Sequence, residues 1–269
     1  MLDDLVPDDL RERVATLLPP HPPRRRRYPG RLPSDDRAAL LGIVYVLCKG
    51  VNRRDVPAER TGCSGVTAWR RLRDWTETGL WPRLHEVLLA ELRMAGLLEL
   101  DDAAIDGSHV RALKGGLHTG PSPVDRGRPG SKHHLIVDRY GTPLAVTLTG
   151  GNRHDVTQPL PLLDAIPPIR GLRGLPRRRP RRLFADRGHD YDEYRRILRR
   201  RGITPRIARR GVAHGSGLGQ TRWVVERTFA WLHQFKRLRI RYEIRADLHE
   251  SLRQLACSII RLRRLRTSF

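Results

Sequence analysis

The chain has 269 residues, with 52 lysines and arginines against 29 aspartates and glutamates, a formal net charge of +23. An excess this large demands a polyanion, nucleic acid first and an anionic membrane surface as the alternative. No apolar run reaches ~18 residues and no apolar leader core is present, so a membrane-spanning or secreted protein is not expected; a soluble, cytoplasmic, nucleoid-associated one is.

Only Lys49, Lys114, Lys132 and Lys236 are lysines. Arginine supplies the other cations, and its planar fork suits phosphate, although scarce lysine also fits a GC-rich genome. Cys48, Cys63 and Cys257 are odd in number and far apart. Neither a disulfide framework nor a zinc ribbon follows, and reduced, mostly buried thiols are expected.

Residues 1–17 read as one amphipathic helix. Pro19 to Ser34, PPHPPRRRRYPGRLPS, is too rich in proline for a helix interior. It is either a basic arm along a DNA backbone or a solvated tether. Residues 35–96 read as a compact unit of three or four helices. Leu40, Leu41, Ile43, Val44 and Leu47 mark a helix over 37–49 that Gly50 stops. A short helix over 55–60 precedes Thr61-Gly62-Cys63-Ser64-Gly65, and Ser64 can cap a helix over 66–78. Trp69, Leu72 and Trp75 form its apolar stripe, with Arg70, Arg71 and Arg73 mostly off it. Short helix, glycine-containing turn and basic helix outline a helix-turn-helix; an ordinary helical bundle with a solvated basic face is the alternative. A further helix over 80–94 closes the unit.

Residues 97–269 have another rhythm. Ala103 to Asp106 reads as the end of a short buried strand, and residues 107–132 as a loop. His133 to Asp138 and Thr142 to Leu148 alternate around Tyr140-Gly141, a hairpin signature. A helix starts at 160, a basic helix-breaking loop spans 171–182, and a strand over 182–185 ends at Asp186. A basic helix over 191–201, a strand from 202–205, a helix over 221–240 and a last helix over 247–265 follow. Together they predict an α/β sheet of about five strands flanked by helices.

The helix over 221–240 organises the rest. At about 100° per residue, Arg222, Glu226, His233 and Lys236 share one sector, opposite Val224, Val225, Thr228, Trp231, Leu232, Phe235 and Leu238. Phe229 breaks that separation, so the polar stripe is not a freely solvated face. A plain i, i+4 ion pair between Arg222 and Glu226 accounts for part of the stripe. Asp106 and Asp186 each follow an apolar strand and precede glycine-containing loops, which places both at the crevice of an open α/β sheet. If the helix packs beside that sheet, Glu226 joins them. Three close carboxylates repel and raise one another's pKa, and a divalent cation removes that conflict. Oxygen-only ligands select magnesium or manganese over zinc. Two such ions ~4 Å apart suit in-line phosphodiester chemistry.

Four stretches carry a family resemblance: Asp106-Gly107-Ser108-His109-Val110-Arg111-Ala112, Gly151-Asn152-Arg153-His154-Asp155, Ala185-Asp186-Arg187-Gly188, and Arg222-Trp223-Val224-Val225-Glu226-Arg227-Thr228. In this order they resemble a DDE transposase of the insertion sequence 5 family, over nearly the full length. The resemblance implies a ribonuclease H-like catalytic domain over 97–269, behind the amino-terminal segment and basic linker over 1–34 and the helix-turn-helix-like DNA-binding unit over 35–96, of which residues 38–80 also resemble the family's amino-terminal region. It implies Asp106, Asp186 and Glu226 as catalytic residues and ligands of two magnesium ions, for which manganese can substitute. Its signature around the glutamate is tyrosine, two residues, arginine, three residues, glutamate, six residues, lysine. Arg222 and Glu226 match, whereas Gly219 and His233 stand at the tyrosine and lysine positions. Lys236 is the candidate substitute for the lysine. Arg222 is expected to hold a phosphate, with His233 and Lys236 behind it. The implied reaction is bacterial DNA transposition: binding of terminal inverted repeats, cleavage by metal-activated water, and attack of the freed 3′-hydroxyl on target DNA. At least two protomers on paired ends are implied. A transposase descendant acting as a repressor, and a site-specific nuclease without strand transfer, are the alternatives.

Other features are weaker. His109, His118, His154 and His189 lack zinc spacing and read as loop hydrogen bonding or DNA contact. His133 and His134 face opposite ways in a strand, one of them buried or pairing. Asp155 is either an outer acid or a loop cap. The run Gly215 to Gly219 lacks the lysine of a phosphate-binding loop but can still present N–H groups to DNA phosphate. Arg177 to Arg182 is either a DNA contact or a solvated loop.

Overall fold

A computed structural model describes residues 5–20, 27, 32–212 and 218–267. Most of the proline–arginine arm and residues 213–217, with most of the glycine run, lie outside the described residues. Helix α1 (Asp8–Leu17) is followed by α2 (Asp36–Lys49), α3 (Ala58–Thr61), α4 (Gly65–Glu77) and α5 (Leu80–Met94). The predicted signals operate. The Asp35 side chain accepts from the Arg37 N–H, and Gly50 ends α2 in the left-handed region at φ 70°. Ser64 Oγ accepts from the Thr67 N–H at 3.2 Å and caps α4. Gly65 is dictated by close approach, since a Cβ there would lie 1.9 Å from the Arg53 carbonyl oxygen. Leu72 and Trp75 are buried, and Trp69 is half-buried beneath the Arg53 guanidinium, 4.3 Å from the ring centroid.

The second part contributes β1 (Asp102–Ala112), β2 (Gly120–Pro121), β3 (Pro129–Asp138), β4 (Pro143–Gly150), α6 (Pro159–Asp164), β5 (Arg182–Ala185), α7 (Asp192–Arg200), β6 (Thr204–Ile207), α8 (Leu218–Gln234), β7 (Ile240–Arg241) and α9 (Ala246–Arg266). The path runs β2-β3-β1-β5-β6, with β4 paired to β3 and β7 to β1. β3 is antiparallel to β1 and β4, while β5 and β6 are parallel to β1. Three antiparallel strands are followed by two parallel ones in a mixed sheet flanked by helices, the α/β class expected from the sequence.

Three expectations are corrected. Asp106 does not end its strand: β1 continues to Ala112, paired with β3 as far as Arg111↔Gly130. The predicted loop over 107–132 is therefore partly strand. Residues 106–109 are only half-buried and polar, so apolar alternation stops while the ladder goes on. Among the described residues the sheet holds seven strands, the two additions being the two-residue β2 and β7.

Alternation assigns the sheet's faces. Ala104, Leu135, Val137 and Phe184 join a core containing Val224, Val225 and Phe229 of α8 and Leu252, Leu255 and Ile259 of α9. Ala103, Ile105, Ile136, Leu183 and Ala185 pack on the other face with Leu162, Leu163 and Leu198. The first core also takes in Leu40, Leu47, Leu84 and Leu88, so it runs unbroken from the leading helices to the sheet. Cys63 and Cys257 are buried and Cys48 half-buried, all free thiols.

Part of the arginine excess is spent inside. Arg241, Arg253 and Arg261 are among the largest fully buried side chains. Arg261 bonds the Pro143 carbonyl at 2.7 and 2.9 Å, and Arg253 bonds that of Thr147 at 2.9 Å, pinning α9 to β4. Burial lowers the Arg261 guanidinium to about 10. Among the described residues no helix is long and apolar enough to cross a membrane.

Candidate active site

The parallel register between β1 and β5 builds the site. Asp102, Ala103 and Ala104 pair with Arg182, Leu183 and Phe184. Two residues further on stand Asp106 and Asp186, at equivalent positions on the same face. That face is the one α8 covers, and α8 packs against both strands. β5 ends at Ala185, so Asp186 opens the crevice, beside Asp106 in mid-strand.

Asp186 begins the short turn Arg187–His189, its Oδ1 accepting from the Gly188 N–H at 2.9 Å. It also pairs with His189 Nδ1 at 2.7 Å; this bond, ahead of other effects, holds the Asp186 carboxyl below its usual range despite burial. Asp106 Oδ1 accepts from the Gly107 N–H at 2.7 Å. Burial raises the Asp106 carboxyl; Arg222 opposes that shift and the charge of Asp186 adds to it. Arg222 lies between two of the acids, 3.7 Å from Asp106 Oδ2 and 2.8 Å from Glu226 Oε1.

The residues present fit a divalent cation by chemistry. Two desolvated aspartates in register and the carboxylate across from them are hard oxygen donors, and Asp106 and Glu226 already share one positive group. They do not form a closed cage. Among the described residues no three His, Cys, Asp or Glu side chains are grouped to hold a metal ion, and the Arg222 guanidinium stands between Asp106 and Glu226.

The predicted stripe on α8 is shorter than expected. The helix stops at Gln234, and Lys236 begins a separate turn, Lys236–Leu238. Its premise as a substitute lysine on the same helix face is thereby corrected. Phe235 is buried at that break, and Lys236 packs where the end of α2 arrives: a Cβ on Gly50 would lie 2.9 Å from Lys236 Cβ. His233 is on α8, half-buried, with burial lowering its pKa below the usual histidine value. In the leading unit, Arg71 pairs with Asp36 at 3.0 Å and Arg73 with Asp74 at 2.7 Å, whereas Arg70 is exposed. Arg177 and Arg181 pair with Asp101, and Arg182 with Asp102.

Behind Gly107, on the face opposite Asp106, sits a cluster that spacing alone did not reveal. Lys132 is almost wholly buried and pairs with Asp155 at 3.1 Å. A Cβ on Gly107 would lie 2.7 Å from Asp155 Oδ1, so glycine next to Asp106 is what lets this acid approach. The available signal was the strand register that sets Lys132 opposite His109.

His133 and His134 do point to opposite faces, and both are buried. His134 Nε2 meets Thr149 Oγ1 at 2.8 Å, and His133 Nε2 meets His249 Nε2 at 2.8 Å. His249 Nδ1 lies 2.9 Å from Glu243. The carboxylate accepts a hydrogen bond from His249 Nδ1–H, so His249 Nε2 accepts from His133 Nε2–H and His249 has no room for a second proton. Burial lowers the pKa of His133, His249 and His134, the last to about 3. A histidine lowered on folding contributes stability present above its unfolded pKa near 6.5 and lost as pH falls. At pH 5 the His134 ring alone costs about 2 kcal/mol, and His133 and His249 shift the balance in the same direction. Burial raises Asp138 to about 6, which gains stability as pH falls through 6 but returns less than the three histidines remove. The urea midpoint is therefore expected to fall between pH 7.5 and pH 5; a rise would contradict this balance.

A family model described as "Transposase DDE domain" matches residues 99–261. Another, described as "Putative transposase of IS4/5 family", matches residues 6–85. The Burkholderia cepacia protein named "Putative transposase for insertion sequence element IS402" is 65% identical over 142 residues, covering 53% of this chain and 67% of that relative. The "Insertion element IS402 uncharacterized 16.2 kDa protein" of the same organism is 50% identical over 123 residues, covering 46% of this chain and 84% of its own length. Among solved structures, the Mos1 strand transfer complex aligns over 97% of this chain and 85% of that one, at 11% identity and a TM-score of 0.33. Matched over residues 99–261 by that first model, the chain belongs to the transposase DDE domain family, and the protein is a DNA transposase.

Proposed function

We propose that Asp106, Asp186 and Glu226 are the catalytic carboxylates of a magnesium-dependent transposase acting on the terminal inverted repeats of its element, with manganese as a substitute and two ions bound. The observation that carries the reading is the parallel register of β1 on β5, which sets Asp106 and Asp186 each two residues beyond its last pair, under the helix that bears Glu226. Bound divalent ions would supply Lewis-acid stabilisation of the attacking and leaving oxygens.

The chain's own residues supply position and charge. Backbone N–H bonds fix Asp106 and Asp186, and His189 orients Asp186. Arg222, once those carboxylates have another cation, is free to take a phosphate oxygen with its fork. Water attacks the phosphodiester at the element's end and releases a 3′-hydroxyl. That hydroxyl attacks a target phosphodiester, one P–O bond forming as another breaks, with no covalent protein intermediate. Residues 35–96 serve as the DNA-binding unit and residues 97–269 as the catalytic one. Arg70 has the first claim on a phosphate there, since Arg71 and Arg73 are engaged by acids. His233 and Lys236 are lesser DNA contacts, and at least two protomers join on paired ends.

The test uses purified protein and DNA carrying the element's own repeats. Nicking at the repeat end that requires magnesium, followed by joined products, is expected. Bound DNA left intact in both magnesium and manganese would leave a repressor. Cleavage without joining would leave a nuclease.

A further inference from the structure

A cavity of about 450 Å³ lies on the far side of α8 from Asp106, between the β3–β4 turn and the last turns of α9. Tyr140, Arg227, Trp231, Arg263 and Arg264 line it, and among the described residues no aspartate or glutamate does. The Arg227 guanidinium stacks over the rings of Trp223 and Trp231, at 4.3 and 4.8 Å, and that of Arg264 over Tyr140 at 4.7 Å. Trp223 and Tyr140 are still 47% and 45% exposed. Arg227 donates to the Tyr140 carbonyl at 2.6 Å, but its Nε is buried with no acceptor among the described residues. The nearby carboxylate, Asp138, is buried under the turn, its oxygens taken by the N–H groups of Glu99, Tyr140 and Thr142.

The guanidinium groups of Arg227 and Arg263 beside flat rings, with no acid among the described lining residues, suit an anion that also carries an aromatic face. The volume falls in the range of small-ligand sites. We propose that this pocket holds a nucleotide of an unpaired DNA strand, the phosphate on Arg227 and Arg263 and the base stacked on the rings. In duplex DNA the base faces are occupied by stacking, so the pocket selects single strand over duplex. Trp231 lies five residues beyond Glu226, about 7 Å along the helix axis. A strand leaving the carboxylates would cross the exposed ridge of Trp223 and Glu226 to reach it. The proposal rests on DNA being the substrate, but adds a preference for strand state.

The test measures binding of labelled octathymidylate, a duplex of equal length and thymidine monophosphate in metal-free buffer, where no cleavage intervenes. The variant is Tyr140→Ala with Arg263→Ala, both exposed positions, with its melting temperature confirmed as unchanged. A second variant, Arg227→Lys, keeps the charge and loses the stacking plane. Each is expected to weaken single-strand binding about tenfold and leave duplex binding within twofold. An octamer of abasic sugar phosphates should also bind about tenfold more weakly than octathymidylate. Equal weakening of both strand states, or of neither, would overturn the proposal, as would mononucleotide binding as tight as the octamer's. A wild-type protein that binds no duplex at all would instead overturn the DNA-binding reading, and this proposal with it.

Discussion

Asp186→Asn is expected to lower divalent-dependent strand cleavage by at least about 10³-fold, ~4 kcal/mol of transition-state stabilisation, with DNA binding unchanged. The substitution is nearly isosteric. An amide oxygen can still accept from the Gly188 N–H, so the turn that Asp186 begins should survive. What disappears is the anionic charge at the mouth of the crevice, the property a divalent cation needs. Asp186 is the more exposed of the two aspartates, its side chain 42% accessible against 23% for Asp106, so it tolerates exchange without a large folding cost. Single-turnover cleavage of repeat-end DNA, with binding followed separately by anisotropy, measures the effect. A loss below tenfold would remove Asp186 from the catalytic set.

The second large effect concerns stability. Glu243→Ala is expected to destabilise the fold by about 3–5 kcal/mol, the penalty for stranding a buried charge. Glu243 is 4% exposed and accepts from Arg237 at 2.8 Å and His249 at 2.9 Å. Burial alone would raise its carboxyl, but the His249 and Arg237 bonds outweigh it and hold it below the usual range. Arg237 also donates to the Val51 carbonyl at 3.1 Å, so the same carboxylate ties the leading helices to the segment after α8. Against a typical total of about 5–15 kcal/mol the loss is severe, lowering the melting temperature by about 10 °C. Thermal and urea unfolding measure it, and a shift under about 2 °C would contradict the stranded-charge argument. Glu243→Gln, which keeps the shape and loses the charge, should fall between.

The order of elements was legible because local signals agreed with tertiary packing. Gly50, Ser64 and the Tyr140-Gly141 turn act where spacing put them. The second half of β1 was not legible, because its residues border polar groups rather than a core. The end of α8 was missed for a related reason. Phe235 and Leu238 continue the helical period, yet they fill the core from a broken turn and not from the helix. In the candidate site, Asp186 follows the end of its strand as the strand-then-glycine context suggested, whereas Asp106 sits inside β1, and the register of β1 on β5 aligns the two. The Lys132–Asp155 pair behind Gly107 needed the β1–β3 register, which one sequence does not specify. The net charge of +23 over-represents the positive surface, since Arg241, Arg253 and Arg261 bind carbonyl groups in the interior.

Convergence of three carboxylates on shared ions is tested most directly by manganese titration of the protein–DNA complex, read by electron paramagnetic resonance. Wild-type protein is predicted to bind manganese. Asp106→Asn, Asp186→Asn and Glu226→Gln should each weaken that binding at least about tenfold, with DNA still held. Unchanged manganese affinity in all three variants would contradict the assignment.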